Sequence, residues 1–435
     1  METVRTGETA GGGREAKRLD GLGGAGEMKW PWEKPRPGGK GFVVAIVAAQ
    51  MLTQIGAFAL PAMLPGYMGR WMLSATEAGW LVGVFFAAYV AAVPVLLALT
   101  DRLPVRAVYL TGAGLTAVSH LGFAFLADGF WSGLLLRAIA GVGWAGAYMP
   151  GLKAIADPLE GVAQSRAVSM HAAGVGVSGA LSFMLAGLLE TVAGPQAAFL
   201  FGGVAAVGAF AIALTVMPAA LPPKVGAGRA GALLDFRPVF RNRAAMAWIA
   251  GYTVHTWELA ALRAWGVTFL ATTIARHGAP AWLPGPAVLF TAAGFAGIAI
   301  SLTGNELAQK FGRLRVVTLA ISVAACLSLT AGWGLALPAP AAALLIVVWN
   351  AAIYLDSSAL TAGTVAAADK DARGATMGVH SMAGYAGGFL GPLGVGLALD
   401  LVGRDTVLGW GLGFGHLALV TLTGLAVLRW VARAR

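Results

Sequence analysis

Long apolar runs, separated by short polar or turn-forming stretches, dominate the chain from residue 41 onward. A membrane-spanning helix needs about 20 mostly apolar residues, more than a buried strand or a typical soluble helix requires. Twelve runs approach or exceed that length: 42–64, 78–100, 106–126, 131–154, 166–190, 197–217, 245–271, 285–304, 315–336, 340–366, 375–400 and 407–430. The pattern predicts an all-α polytopic membrane protein with twelve transmembrane helices.

Two other stretches depart from this pattern. Residues 1–40 are Gly-rich and charged with little apolar content, which is typical of a disordered tail. Residues 219–243 are polar and basic, and they separate the sixth apolar run from the seventh. We therefore predict a cytoplasmic tail (1–40), an N-terminal six-helix bundle (41–218), a basic cytoplasmic linker (219–243) and a C-terminal six-helix bundle (244–432).

The basic residues between the runs predict an orientation. With both termini in the cytoplasm, the cytoplasmic loops hold fourteen Lys or Arg residues and the outer loops hold three. The fourteen are Arg102, Arg106, Lys153, Arg166, Lys224, Arg229, Arg237, Arg241, Arg243, Lys310, Arg313, Arg315, Lys370 and Arg373; the three are Arg70, Arg276 and Arg404. This asymmetry follows the positive-inside rule and predicts a multi-pass protein of a bacterial-type cytoplasmic (inner) membrane.

Composition excludes several other classes of protein. Apolar residues make up 58% of the chain and charged residues 11%, whereas soluble domains carry about 25% charged residues. The net charge of +10 is scattered between apolar runs, so we expect no nucleic-acid partner. One cysteine, Cys326, excludes an internal disulfide. The sequence has no metal-ligand spacing and no Walker-type phosphate loop, so we expect neither a metal nor another cofactor.

Short motifs carry a resemblance to a known family. The segment LALTDRLPVR (97–106) resembles the loop motif between helices 2 and 3 of the major facilitator superfamily, with Asp101, Arg102 and Arg106 matching and Leu97 and Pro104 in place of glycines. In the equivalent loop of the second half, NELAQKFGRLR (305–315) supplies Lys310 and Gly312, with Arg313 and Arg315 nearby. RAIAGVGWAGA (137–147) resembles the helix 4 motif of that family.

The resemblance implies a monomeric carrier rather than an enzyme, with two halves that pivot around a central substrate site near the middle of the lipid bilayer. It also implies a gating role for the loop residues Asp101, Arg102, Arg106, Lys310 and Arg313. Asp101 would lie near the start of helix 11, where the helix dipole favours a carboxylate, and would latch the cytoplasmic side in the outward-open state. The alternative is that Asp101 and Arg102 only mark the membrane surface.

Ionisable residues inside the predicted helices are the candidate functional groups. Each costs at least about 2.5–3.5 kcal/mol at the bilayer centre, so such residues face the bundle interior or a wet cavity. They are Arg137 in helix 4, His255, Glu258 and Arg263 in helix 7, and Asp356 in helix 10. The polar or aromatic residues Gln50, Gln54, Trp257, Asn350 and Tyr354 accompany them on helices 1, 7 and 10. In the family, helices 1, 4, 7 and 10 line the central cavity.

The chemistry of these groups suggests two roles. Arg137 and Arg263 keep their charge, so we expect them to bind an anionic group of a small-molecule substrate, helped by His255 and the polar or aromatic set above. Glu258 and Asp356 can be protonated when desolvated, which makes them candidates for coupling to H⁺. The alternative is a structural network, such as a buried Glu–His or Arg–Asp pair that fixes helix packing.

These observations favour secondary active transport of a small solute, proton-coupled and directed at an organic anion. Multidrug or metabolite efflux by proton antiport is the first alternative. Drug antiporters of the superfamily usually carry a Gly-Pro pair in helix 5, whereas here Gly391-Pro392 lies in helix 11. A non-transporting membrane sensor or a membrane-embedded enzyme is the alternative from another class.

Overall fold

The computed structural model describes residues 35–100, 102–219 and 235–433, and the regular elements in these ranges are helices. They are α1 (Lys40–Gln54), α2 (Ala59–Ala62), α3 (Leu64–Arg70), α4 (Ala75–Thr100), α5 (Val105–Leu126), α6 (Phe130–Ala156), α7 (Gly161–Ala193), α8 (Pro195–Val216), α9 (Arg237–Arg241), α10 (Arg243–His277), α11 (Pro286–Phe311), α12 (Arg313–Ala331), α13 (Ala339–Ala367), α14 (Arg373–Val402) and α15 (Val407–Arg433). Short 3-10 turns follow α12 (Gly332–Ala336) and precede α14 (Lys370–Ala372).

Most of these helices can cross a membrane. In the described ranges, nine helices are long and apolar enough to do so: α4, α5, α7, α8, α11, α12 with its 3-10 turn, α13, α14 with the turn before it, and α15. The other three predicted runs are also helical, in α1–α3, α6 and α10. Buried charges reduce the apolar character of α6 and α10. The polytopic all-helical class is confirmed, while the count of twelve crossings stays a prediction.

The first predicted helix is broken, which the run 42–64 did not indicate. α1 ends at Gln54, and the chain resumes helical structure only at Ala59. The N–H of Phe58 donates to Ser182 Oγ at 3.0 Å instead of continuing the helical ladder. At Gly56, a Cβ would lie 3.2 Å from Gly202 Cα and even closer to the ring of His120, so glycine permits this close approach. The broken segment exposes backbone groups in the interior of the bundle.

The helices pack in two groups. Before residue 219, α5 packs on α6 and α8, and α4 packs on α6; after residue 235, α10 packs on α13 and α14, and α11 packs on α13. Two extensive seams, α4 against α14 and α7 against α11, join the groups. This grouping supports the division into two six-helix bundles, which we keep as a proposal.

The two ends of the bundle differ in how tightly the groups meet. We call the end that carries the described connecting residues 102–104, 157–160, 217–219, 235–242, 312 and 368–372 the basic face, and the other end the opposite face. The α7–α11 seam extends from Gly187 and Ala287 at the opposite face to Gly176 and Ile298 in the middle. Beyond it, most of residues 161–173 of α7 are exposed. The two groups of helices are therefore in contact at the opposite face, and at the basic face they are separated along α7.

A glycine at the contact of α11 with α13 gives a test of this packing. A Cβ on Gly304 would lie 3.2 Å from Leu355 Cα and closer still to the Leu355 carbonyl oxygen. Gly304→Ala should lower the free energy of unfolding by about 1–3 kcal/mol, because neither backbone can move aside without repacking its neighbours. Thermal unfolding of the purified protein measures this loss. Gly374→Ala is the control, since a Cβ there meets open space; equal melting temperatures for the two variants would contradict the described contact.

Candidate functional site

Arg137 on α6 lies against the break in the first helix. Its Nη2 donates to the carbonyl of Ala57 at 3.3 Å, and its Nε donates to the carbonyl of Leu81 at 3.4 Å. The guanidinium also lies 4.8 Å from the ring centroid of Phe85. Arg137 is 2% exposed and, among the described residues, no carboxylate lies within ion-pair distance of it. One carbonyl from the helix break, that of Ala57, and one from α4, that of Leu81, therefore hold this charge.

Arg263 on α10 approaches the same break from the other group of helices. Its guanidinium lies 5.0 Å from the ring centroid of Phe58, the last residue of the break, and Nη2 donates to the hydroxyl of Tyr354 on α13. Arg263 is half-buried, and it too lacks an acidic partner in the described part of the chain. Two arginines thus flank residues 57 and 58, one from each group of helices.

A buried histidine and aspartate pair directly. Nδ1 of His255 on α10 lies 2.7 Å from Oδ1 of Asp356 on α13, and both side chains are almost fully buried. Tyr252 stacks on His380 of α14 with ring centroids 3.8 Å apart, and its ring lies 5.7 Å from that of His255. The hydroxyls of Thr361 and Thr364 lie 3.3 and 3.1 Å from the ring nitrogens of His380. The pair therefore lies near a second buried histidine, with the ring of Tyr252 stacked between the two imidazoles.

Glu258 lies one turn along α10 but has different neighbours. Oε1 accepts a hydrogen bond from Trp349 Nε1 at 2.7 Å, and Oε2 accepts one from Thr421 Oγ1 at 3.3 Å. These donors belong to α13 and α15, so Glu258 points into the second group of helices rather than toward the first. No set of three or more His, Cys, Asp or Glu among the described residues could hold a metal ion.

The remaining predicted site residues are spread over several contacts. Asn350 donates to the carbonyl of Ala293 at 2.9 Å and joins α13 to α11, while Gln54 accepts from Ser178 Oγ at 3.4 Å and joins α1 to α7. Gln50 is fully buried, and its amide has no partner within the described ranges. Trp257 packs beside Gly391 of α14. Among the described hydrogen bonds and cation–ring contacts, Tyr354 is the one predicted polar or aromatic residue that contacts either arginine.

Four of the five predicted gating residues, Arg102, Arg106, Lys310 and Arg313, are described and lie at the basic face. Asp101 falls outside the described residues. Arg102 and Lys310 are exposed, and Lys310 lies over the ring of Phe311 at 5.2 Å. Arg106 donates to the carbonyl of Leu214 at 2.7 Å, and Arg313 donates to that of Ala362 at 3.5 Å. The two bound arginines tie neighbouring helix ends together, and a role of this loop in gating stays a prediction.

An aromatic cluster beside the arginines was not predicted from the sequence. Trp144 on α6 is surrounded by rings whose centroids lie 4.8 to 5.8 Å away, namely Phe85, Tyr89, Tyr148 and Tyr385. The hydroxyl oxygen of Tyr89 also lies 3.3 Å from Oγ of Ser381 on α14, across the α4–α14 seam. The tyrosines inside the apolar runs were the sequence signal that could have indicated this cluster, because a phenol hydroxyl in the membrane needs a polar neighbour.

Comparison with solved structures identifies the same arrangement of helices elsewhere. The chain is similar to a bacterial homologue of the human lysosomal transporter Spinster in an inward-facing, unoccupied conformation (TM-score 0.73, 16% identity, 90% of this chain and 96% of that chain covered). It is similar to a POT family transporter in complex with a thioalcohol-conjugated peptide (0.73, 13%, 92% and 99%) and to the nucleoside transporter NupG (0.71, 14%, 90% and 98%). At these identities the likeness shows the fold.

Sequence comparison gives the family. No significant match was found among curated proteins. The profile of the Major Facilitator Superfamily matches residues 46–392, which contain both arginines, the His255–Asp356 pair and the α7–α11 seam. The profile covers well over half of the chain, and the predicted resemblance is confirmed. The chain is a multi-pass, non-enzymatic membrane transporter that belongs to the Major Facilitator Superfamily.

Proposed function

We propose that this transporter moves a small organic anion by alternating access and couples that movement to H⁺. The observation that carries the proposal is Arg263, a half-buried cation without an acidic partner among the described residues, placed where the two groups of helices meet. A charge inside the membrane normally pairs with an opposite charge or faces water. A substrate carboxylate or phosphate would supply the missing partner.

The geometry favours Arg263 over Arg137 as the group that contacts substrate. Arg137 is fully buried, its Nε and Nη2 already donate to backbone carbonyls, and the guanidinium packs on the ring of Phe85, so that only Nη1 has no partner among the described residues. Arg263 keeps donors free beyond its bond to Tyr354, and a planar guanidinium can bind a carboxylate through two parallel hydrogen bonds. We propose that Arg137 positions the break in the first helix and that Arg263 binds the anion.

Proton coupling is assigned to the His255–Asp356 pair. A carboxyl and an imidazole 2.7 Å apart can share or release one proton. His255 lies on α10 with Arg263, and Asp356 lies on α13 with Tyr354, so the pair and the proposed anion site are built on the same two helices. Anion binding at Arg263 would therefore change the local charge close to the proton-accepting group. Glu258 is a second candidate, but its carboxylate faces α13 and α15 and contacts neither arginine.

The charge of the loops supports a proposal for the orientation. Because the basic face carries most of the basic residues outside the membrane helices, we propose that it is cytoplasmic, with both termini there, in a bacterial-type inner membrane. The structure is then inward-facing, closed at the outer end and separated along α7 at the cytoplasmic end. One chain supplies both sides of the site, so a monomer would suffice.

The aromatic cluster favours a second candidate function. Trp144, Tyr148 and Tyr385 offer flat faces close to the interface between the groups. Such surfaces also suit aromatic drugs or metabolites, which proton antiporters of this superfamily export. Gly391 and Pro392 lie within α14, one of the two helices of the α4–α14 seam. The Pro392 carbonyl accepts a hydrogen bond from Trp265 Nε1 at 2.8 Å, so this pair has a structural role in that helix.

Ligand-dependent stability followed by flux tests the proposal. Purified protein is heated with panels of small carboxylates and phosphates, neutral sugars, nucleosides, short peptides and aromatic cations, because a ligand of the folded state raises the melting temperature. We expect stabilisation by members of the anion panel, and uptake of those anions into proteoliposomes that depends on a pH gradient. Stabilisation and flux confined to aromatic cations would support efflux instead. Flux with the same rate in the presence and absence of a pH gradient would contradict proton coupling.

A further inference from the structure

Asp400 bridges the two groups of helices at the opposite face. Its Oδ1 accepts a hydrogen bond from the backbone N–H of Ala75 at 2.8 Å, and its Oδ2 accepts one from the N–H of Thr76 at 2.7 Å. Asp400 lies near the end of α14, whereas Ala75 and Thr76 begin α4. One carboxylate therefore caps a helix that lies more than 300 residues away in the sequence and in the other group.

The start of α4 leaves these two N–H groups available. Ser74 and Glu77 form a reciprocal capping box, in which Ser74 N–H donates to Glu77 Oε2 at 2.9 Å and Glu77 N–H donates to Ser74 Oγ at 3.1 Å. The N–H groups of Ala75 and Thr76 lie between them and have no partner within their own helix. A carboxylate at this position also interacts favourably with the positive end of the helix dipole.

The seam beneath Asp400 allows the close approach that this contact needs. A Cβ on Gly79 would lie 2.8 Å from the carbonyl oxygen of Pro392, and a Cβ on Gly83 would lie 2.8 Å from that of Phe389. Other described hydrogen bonds that cross the seams join neutral groups, as between Tyr89 and Ser381 and between Thr291 and Ala180. Asp400 thus supplies a charged contact across the seam, placed where the seam must open first.

We propose that Asp400 is the outer latch of the transport cycle, a positioning residue that stabilises the closed outer end and releases the N-terminus of α4 when the site opens outward. This rests on the proposed transport by alternating access. In the outward-open state the α4–α14 seam must separate at this end, so both hydrogen bonds would be replaced by water. The latch therefore sets the balance between the two states without touching the substrate.

Distance measurements across the outer end test the latch directly. In a Cys326→Ser background, which removes the native cysteine, spin labels are placed at Leu126→Cys and Leu408→Cys, exposed positions on α5 and α15 at the opposite face. Asp400→Asn should increase the population with longer distances about 2- to 30-fold relative to the parent, the range expected for losing a carboxylate at a helix N-terminus. Asp400→Ser should act in the same direction.

A matched control lies five residues away. Asp405 is exposed at the same end, and its described ionic contact is with Arg404, at 3.9 Å. Asp405→Asn should therefore leave the distance distribution unchanged. Distributions that are identical for Asp400→Asn, Asp400→Ser and Asp405→Asn would overturn the latch. The measurement needs no substrate, so a shifted distribution in a protein that moves no solute would count against the proposed function and leave the latch in place.

Discussion

Arg263→Gln is expected to weaken binding of the anions that stabilise the wild-type protein by about 10- to 150-fold, because the variant keeps hydrogen-bonding capacity and loses the charge. The native guanidinium has no described acidic partner and lies between Phe58 and Tyr354. A substrate anion would therefore form its strongest contact there. Isothermal titration with an anion from the stabilising panel measures the loss.

Two variants separate charge from geometry at this position. Arg263→Lys should show an intermediate loss, because a lysine retains the charge without the bidentate geometry of the guanidinium. Arg276→Gln, an exposed position near the end of the same helix, should bind like wild type. Unchanged affinity in Arg263→Gln, with a normal unfolding profile, would remove Arg263 from the substrate site.

Asp356→Asn is expected to uncouple transport from protons. The variant leaves His255 without its carboxylate partner 2.7 Å away and removes the group that would exchange the proton. Uptake driven by a pH gradient should fall to the level seen in protein-free liposomes. Exchange of labelled for unlabelled substrate at equal pH should continue. Proteoliposomes loaded with substrate on both sides measure the two activities separately.

Glu258→Gln provides the comparison for this assay. The glutamine oxygen can still accept the hydrogen bond from Trp349, and the side chain faces away from both arginines. We therefore expect gradient-driven uptake to persist in Glu258→Gln, with the same pH dependence as wild type. If Glu258→Gln lost the pH dependence and Asp356→Asn kept it, the coupling site would lie at Glu258 instead.

The structure extends the interpretation of α10 that sequence periodicity allowed. At 100° per residue, His255, Glu258 and Arg263 fall within one broad face of a helix, and in the structure each of them contacts α13. Spacing could not show that Glu258 also reaches α15, or that Arg263 reaches Phe58 on the other side of the interface. Periodicity fixes the direction of a side chain relative to its own helix, whereas its partners depend on how neighbouring helices rotate and tilt.

The sequence by itself determined the membrane class, the positions of the long helices and the buried charges that mark the functional region. It could do so because hydropathy is a local property, and a charge inside an apolar run is costly wherever the run packs. The tertiary structure alone decided the break after Gln54, the pairing of His255 with Asp356 and the cap that Asp400 places on α4. These contacts join residues about 100 to 325 positions apart, and the packing of helices onto one another selects them.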